Sequence, residues 1–355
     1  MVRWRRAHPT AFAAVTLGRD RATVAIIGLE DAPELVRRIG HPSAPTSEVA
    51  LVVRSNPERN APHYEVCHPP LKAPIGVAAF ATIGELVIDV SDRLEQQLTE
   101  RCHTPLLHAG AVVHAAGGVI VAGPSRAGKS TMTAVLASLP GSYYVTDELV
   151  TVLGDGTLSG LARPLHVRGD VVGQLDEQER AWVDGGRFWT CLPEQTHRRP
   201  FAGALVVILH RDEAATDATL VPIAQATTAR ELLANSVNLS FLGWDSFTLV
   251  VQVAATTRGY RASYGRAGDL VARITDLPIP ERHDNDPRQI AAIEIPGRQG
   301  RMWAFHDSIL VVAGDRRRVV SLTVDSDTPS GINAVAVRPE VVRDSIDALL
   351  EDDWW

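Results

Sequence analysis

The chain has 355 residues, 45% of them hydrophobic and 22% charged, with a net charge of −7. That length predicts two or three domains, and the negative balance excludes the broad basic surface of a bulk nucleic-acid binder. Cys67, Cys102 and Cys191 lie far apart with no CxxC, which speaks against a disulfide framework or a zinc site and for a reducing compartment.

At the N-terminus, Arg3, Arg5 and Arg6 precede a short apolar run over residues 11–17. The run sits at the lower limit for a signal peptide, and charges resume at Arg19 and Asp20, so a first strand is expected. No run approaches the roughly 18 apolar residues of a membrane span. The expected location is the cytoplasm, with no membrane and no nucleic-acid partner. Residues 1–80 read as a small α+β N-terminal module, with strands near 23–27 and 49–53, a short helix near 31–39 and a Pro-rich connector at 69–74. His63, Cys67 and His68 lack a fourth ligand and read as loop residues.

Residues 81–280 form the expected second domain. Leu86, Val90, Leu94 and Leu98 recur at fours and predict a helix over 85–101. A strand is expected over 106–113, with His108 near its start. Another follows over 118–122, and then Gly123-Pro124-Ser125-Arg126-Ala127-Gly128-Lys129-Ser130, which fits G-x-x-x-x-G-K-[ST]. A helix is predicted over 131–139, stopped by Pro140-Gly141. Strand, Gly-rich turn and helix start is the context in which loop N–H groups and the helix dipole face an anion. This predicts a nucleoside triphosphate, ATP or another, bound by residues 123–131 including Thr131. Lys129 would reach the β/γ-phosphates and Ser130 would ligate Mg²⁺. The next strand, 142–146, ends in Asp147-Glu148, at the carboxyl end where open α/β sheets place ligands.

Further on, Arg163, His166 and Arg168 fall within 161–172, and an exposed helix is expected over 170–183. A strand over 204–209, a helix over 225–240, a strand over 260–264 and a helix over 267–277 complete the domain. Residues 278–287 are a polar, Pro-bounded linker. Residues 288–355 read as a small β-rich accessory module with strands near 290–295, 302–312 and 318–324. A helix is predicted over 339–350, with Pro339 in its first turn. Its Arg301, Trp303, Arg316-Arg317-Arg318 and terminal Trp354-Trp355 are residue types found at binding hot spots, balanced against simple packing on the body.

The loop is also close to that of transporter ATPases, but the chain has no LSGGQ-like segment, and the NKxD of GTPases is missing. The short interval from Lys129 to Asp147-Glu148, with His108 ahead of the loop, resembles the HPr serine kinase/phosphorylase family, closest to its relatives in peptide-modification gene sets. The likeness runs over residues 85–278. It implies an α/β fold with a P-loop (HPr kinase-like) core. It also implies a catalytic set of Asp147 as base with His108, Lys129 and Arg168, and a metal set of Ser130, Asp147 and Glu148. Arg163 and Arg198 are further candidates for charge on the transferring group. The chain departs from the family pattern at Arg126, where the family loop carries glycine, at Thr131 and at Glu148. The function implied is ATP/Mg²⁺-dependent phosphorylation of a serine- or threonine-type hydroxyl on a peptide or protein, in a monomer or homo-oligomer. A regulatory nucleotide-binding module without transfer, or a kinase of small hydroxylated molecules, are the alternatives.

Overall fold

The computed structural model describes Pro9 and residues 11–17, 20–27, 29, 32–44, 49–55, 64–67, 78–80, 83–114, 117–168, 181–183, 188–191, 193, 195–277, 293–294, 300–305, 308–313 and 316–321. They form a mixed α/β structure.

The first sheet has the order β3-β1-β2-β4-β5-β6, built from β1 (Ala11–Leu17), β2 (Asp20–Ile27), β3 (His41–Pro42), β4 (Leu51–Ser55), β5 (Tyr64–Cys67) and β6 (Ala78–Phe80). Ala13, Val15 and Leu17 alternate on β1 with the same period as Ala22, Val24 and Ile26 on β2, and all are buried. Against this face pack α1 (Ala32–Ile39) and α2 (Ile83–Arg101). The fourfold spacing of Leu86, Val90, Leu94 and Leu98 puts them on one stripe of α2, and each is buried in the same cluster. Such burial stabilises by about 1.5–3 kcal/mol per side chain. Glu85 in the first turn and Arg101 in the last oppose the helix dipole favourably.

The central sheet has the order β10-β8-β9-β16-β18-β17. Its strands are β8 (Gly110–His114), β9 (Gly117–Ala122), β10 (Tyr143–Thr146), β16 (Gly203–Arg211), β17 (Thr219–Ile223) and β18 (Arg258–Tyr264). β9, β16 and β18 are parallel, while β8, β10 and β17 each pair antiparallel with a neighbour. Two successive antiparallel pairings make β10 run in the direction of β9, so both strands end on the same edge. The central strands are buried on both faces. Val119, Val121, Val207 and Leu209 face α3 (Lys129–Ala137) and α6 (Ala267–Thr275). Ile120, Ala122, Val206 and Ile208 face α4 (Gln225–Ala234) and α5 (Trp244–Thr256).

The expected strand over 106–113 is two strands broken at Ala109. β7 (Leu106–His108) leaves for a three-stranded sheet with β11 (Leu149–Val152) and β12 (Leu158–Gly160). A second small sheet has the order β13-β15-β14, from β13 (Leu165–Arg168), β14 (Ala181–Val183) and β15 (Phe188–Cys191). The expected helix over 170–183 is therefore strand at its end; residues 169–180 lie outside the described residues. The apolar stretch near 302–312 is a hairpin, β20 (Gly300–Ala304) and β21 (Ser308–Ala313), flanked by β19 (Ile293–Glu294) and β22 (Arg316–Ser321). This sheet packs on α4 and buries Trp303, Phe305, Leu310 and Val312 in the cluster shared with α4 and α5. Residues 278–287 and 339–350, His63, His68, Trp354 and Trp355 lie outside the described residues. Among the described residues no helix is long and apolar enough to cross a membrane.

Candidate functional site

The glycine-rich loop joins β9 to α3. Gly123 takes φ 148° and a Cβ there would stand 2.8 Å from the Leu209 carbonyl oxygen on β16. Gly128 takes φ 90°, and its Cβ would stand 2.4 Å from the Tyr264 hydroxyl. Both positions therefore require glycine. Tyr264, on β18, donates a hydrogen bond of 2.7 Å to the Ala127 carbonyl and ties the loop to the sheet. Burial pushes its phenol up to about 12, so it stays a donor. Pro124, Ser125 and Arg126 stand exposed at the loop tip. Arg126 holds φ 67°, a left-handed conformation uncommon for a non-glycine residue.

Lys129 opens α3 and is only 7% exposed. Its ammonium donates to the Gly123 carbonyl at 3.0 Å and the Pro124 carbonyl at 3.3 Å, bending back across the loop. An ammonium carries three protons, so one donor remains. Burial pulls Lys129 below its ordinary pKa, against the opposing pull of Glu148 and Asp147. The first turn of α3 has no side-chain cap and no acidic residue. Its N–H groups are donors for an anion, so the loop fits a phosphate group.

The corner at Asp147-Glu148 is set by Thr146, fully buried, whose hydroxyl accepts from the Glu148 N–H at 3.2 Å and the Leu149 N–H at 3.3 Å. It turns the two carboxylates to different surroundings. Asp147 is 4% exposed, and the Ser130 hydroxyl at the head of α3 lies close enough to favour its charged form. The Tyr144 hydroxyl lies 3.0 Å from Asp147 Oδ1 and 2.8 Å from the Arg163 carbonyl oxygen. Burial pushes Asp147 above the usual carboxylate range, while the Arg163 charge and the Ser130 and Tyr144 hydroxyls pull it down. Ser130 and Asp147 form an all-oxygen donor set that suits Mg²⁺, which binds through one or two carboxylates and completes its shell with phosphate and water. Among the described residues no group of three or more His, Cys, Asp and Glu side chains gathers as a metal centre of its own.

Glu148 turns instead to His108, whose Nε2 lies 3.2 Å from Glu148 Oε1. The pairing of His108 with Leu149 between β7 and β11 fixes that approach. The hydrogen bond from His108 holds Glu148 below the usual carboxylate range despite its burial. Beyond this pair opens a cavity of about 440 Å³, walled by α2, Glu148, Leu149 and Val237.

The arginines fall elsewhere. Arg163 pairs with Glu95 and, at 3.0 Å, with Asp92, both on α2. Burial pulls against its charge, yet Glu95, Asp147 and Asp92 together hold its pKa above the ordinary value. Arg198 donates to the Gly40 carbonyl at 3.0 Å, toward the first sheet. Arg168 ends β13, which lies against α3; its side chain is outside the described residues. Trp303, considered as a binding residue, is fully buried and donates from Nε1 to the Thr248 hydroxyl at 3.3 Å, beside Trp244. Sequence reasoning missed Tyr144, Thr146, Tyr264 and the acidic face of α2. Asp92, Glu95 and Glu100 on the polar side of that helix were the available signal.

No family model matches the chain, and no curated protein matches its sequence.

Proposed function

We propose that the chain is an ATP- and Mg²⁺-dependent kinase of the HPr serine kinase/phosphorylase type, with a P-loop core, that phosphorylates a hydroxyl of a peptide or protein. The observation that carries this reading is the buried Asp147 carboxyl, within the influence of the Ser130 hydroxyl at the head of α3, with the His108–Glu148 pair on the next residue. A lone glycine-rich turn needs no carboxylate at that place.

In this reading the loop N–H groups and Lys129 hold the β- and γ-phosphates. Arg126, exposed at the tip and paired with no described residue, adds a cation at the loop mouth. Ser130 and Asp147 would hold Mg²⁺, which neutralises phosphate charge when bound. Phosphoryl transfer is mostly positioning and charge neutralisation. The burial of Asp147 favours the metal role over the role of base, which passes to Glu148, half exposed at the cavity. Glu148 takes the proton of the acceptor hydroxyl, whose oxygen bonds to the γ-phosphorus as the bond to the β–γ bridging oxygen breaks. His108 orients Glu148 and steadies its charge. Arg168 remains a candidate for charge on the transferring group.

The second reading, nucleotide binding without transfer, is favoured by the same burial of Asp147, which keeps it from any acceptor. Incubation of the full chain with ATP, Mg²⁺ and candidate acceptors, read by mass spectrometry, separates the two. Under the kinase reading Glu148→Gln keeps ATP binding and loses transfer by about 10²-fold or more, whereas Asp147→Asn weakens Mg²⁺-dependent ATP binding itself. Transfer at near wild-type rate in Glu148→Gln removes that residue as base. ATP binding with no transfer to any hydroxyl acceptor favours the second reading.

A further inference from the structure

We propose that the cavity beside Glu148 seats the acceptor and selects one with a basic group, a lysine or arginine side chain or an amine, next to the hydroxyl that is modified. This rests on the kinase reading above and deepens it.

The cavity, about 440 Å³, has the size of a small-ligand site. Glu148 is one of its walls, so a residue lodged there brings its neighbour to the carboxylate that takes the proton. The opposite wall is α2, with Asp92, Glu95 and Glu100. Asp92 and Glu95 share the guanidinium of Arg163, whose side chain is 12% exposed and whose charge also serves Asp147. Two cavity carboxylates on one cation leave negative charge over. Among the described residues Glu100 takes a neutral amide hydrogen bond, 3.0 Å from Gln96. His108 is the basic side chain on the wall, and it is committed to Glu148. The cavity is therefore anionic.

Its remaining lining is the neutral Gln96 and Thr99 and the apolar Leu149 and Val237. Leu149 and the 46%-exposed Val237 lie beside the carboxylates. An apolar strip next to acidic groups suits a side chain with an aliphatic stem and a cationic head, as lysine and arginine have. Charge also sorts the two substrates. The anionic phosphates belong at the loop, where Lys129 and the uncapped turn of α3 attract them, and an acid-walled cavity repels them. A cationic acceptor is drawn to the other side of the Asp147-Glu148 corner.

The test is calorimetric binding of three capped tetrapeptides to the full chain, alike except for arginine, norleucine or glutamate before a central serine. A parallel thermal shift with ATP·Mg²⁺ reports on the nucleotide site alone. The arginine peptide is expected to bind about tenfold more tightly than the norleucine peptide, with the glutamate peptide weaker still. Glu100→Lys should erase or invert that order, and Glu100→Gln should reduce it. An ATP shift retained in either variant shows that it is folded. Equal binding of the three peptides, no binding of the arginine peptide, or an order unchanged in both variants overturns the proposal. Absence of an ATP shift in the wild type, with the peptide order intact, overturns the nucleotide reading instead.

Discussion

Replacing Arg163 by glutamine should destabilise the protein in a way that acid relieves. Arg163 is a nearly buried cation facing Glu95, which is 22% exposed on its side chain, and Asp92, which is 57% exposed. Losing one partner of a buried pair costs about 3–5 kcal/mol. The exposure of Asp92 leaves most of that to Glu95, so the low end, about 3 kcal/mol, applies. At roughly 2.1 cal/mol/K per residue over 355 residues this lowers Tm by about 4 °C if the chain unfolds as one unit. Burial already raises Glu95 and Asp92 above their ordinary pKa values, with Arg163 pulling them back. A carboxyl raised in the folded state contributes stability that is whole below its unfolded value, about 4, and lost as pH rises through the folded value. Removing Arg163 raises both groups further. The Tm difference between wild type and Arg163→Gln should then be largest at pH 7–8 and shrink toward pH 5. Thermal unfolding across that range reads it directly. A difference that is constant with pH, or grows on acidification, refutes the pairing as the source of stability.

Trp303→Ala should cost about 3–5 kcal/mol, because the ring is fully buried against α4 and α5, and lower Tm accordingly; a change under 1 kcal/mol would mean that the C-terminal sheet does not dock there. Tyr264→Phe removes one hydrogen bond to the loop and leaves the Ala127 carbonyl buried without it. The expected loss is about 1–3 kcal/mol of stability with several-fold weaker ATP binding in calorimetry, and unchanged affinity would mean that the anchor does not shape the loop. In Arg126→Gly the left-handed conformation becomes unstrained, and a gain of about 1 kcal/mol is expected in denaturant unfolding. A loss of stability would show that the arginine side chain itself holds the loop.

The regular elements were legible where one period dominates. The fourfold leucines of α2 and the alternating valines of the parallel strands left one arrangement that buries them. The break at Ala109 was not legible, since His108 and Gly110 also fit inside a single strand and nothing local says that β7 joins β11 while β8 joins β9. The hairpin near 302–312 did carry a signal, the polar His306-Asp307-Ser308 between its two apolar halves. The loop and the acidic corner stand out in the sequence because phosphate-binding chemistry would fix their residue types and order. The division between Asp147 and Glu148 could not, because it depends on Thr146 and on contacts with Tyr144, Arg163 and His108 that come from distant segments. Arginines were the least legible: Arg163 and Arg198 have the same type and neighbourhood as catalytic arginines, and only tertiary partners show them committed to α2 and Gly40.

The most direct test of the central claim is the thermal shift produced by ATP·Mg²⁺ in wild type and in Lys129→Ala. The Lys129 ammonium donates to two carbonyls of its own loop, so the variant should keep the fold. At a ligand concentration of about 100 times Kd, binding stabilises by about 2.7 kcal/mol, a shift of some 3–4 °C in the wild type. Lys129→Ala should show little or none of it. No shift in the wild type, or an equal shift in both proteins, would contradict a phosphate-binding loop at residues 123–130.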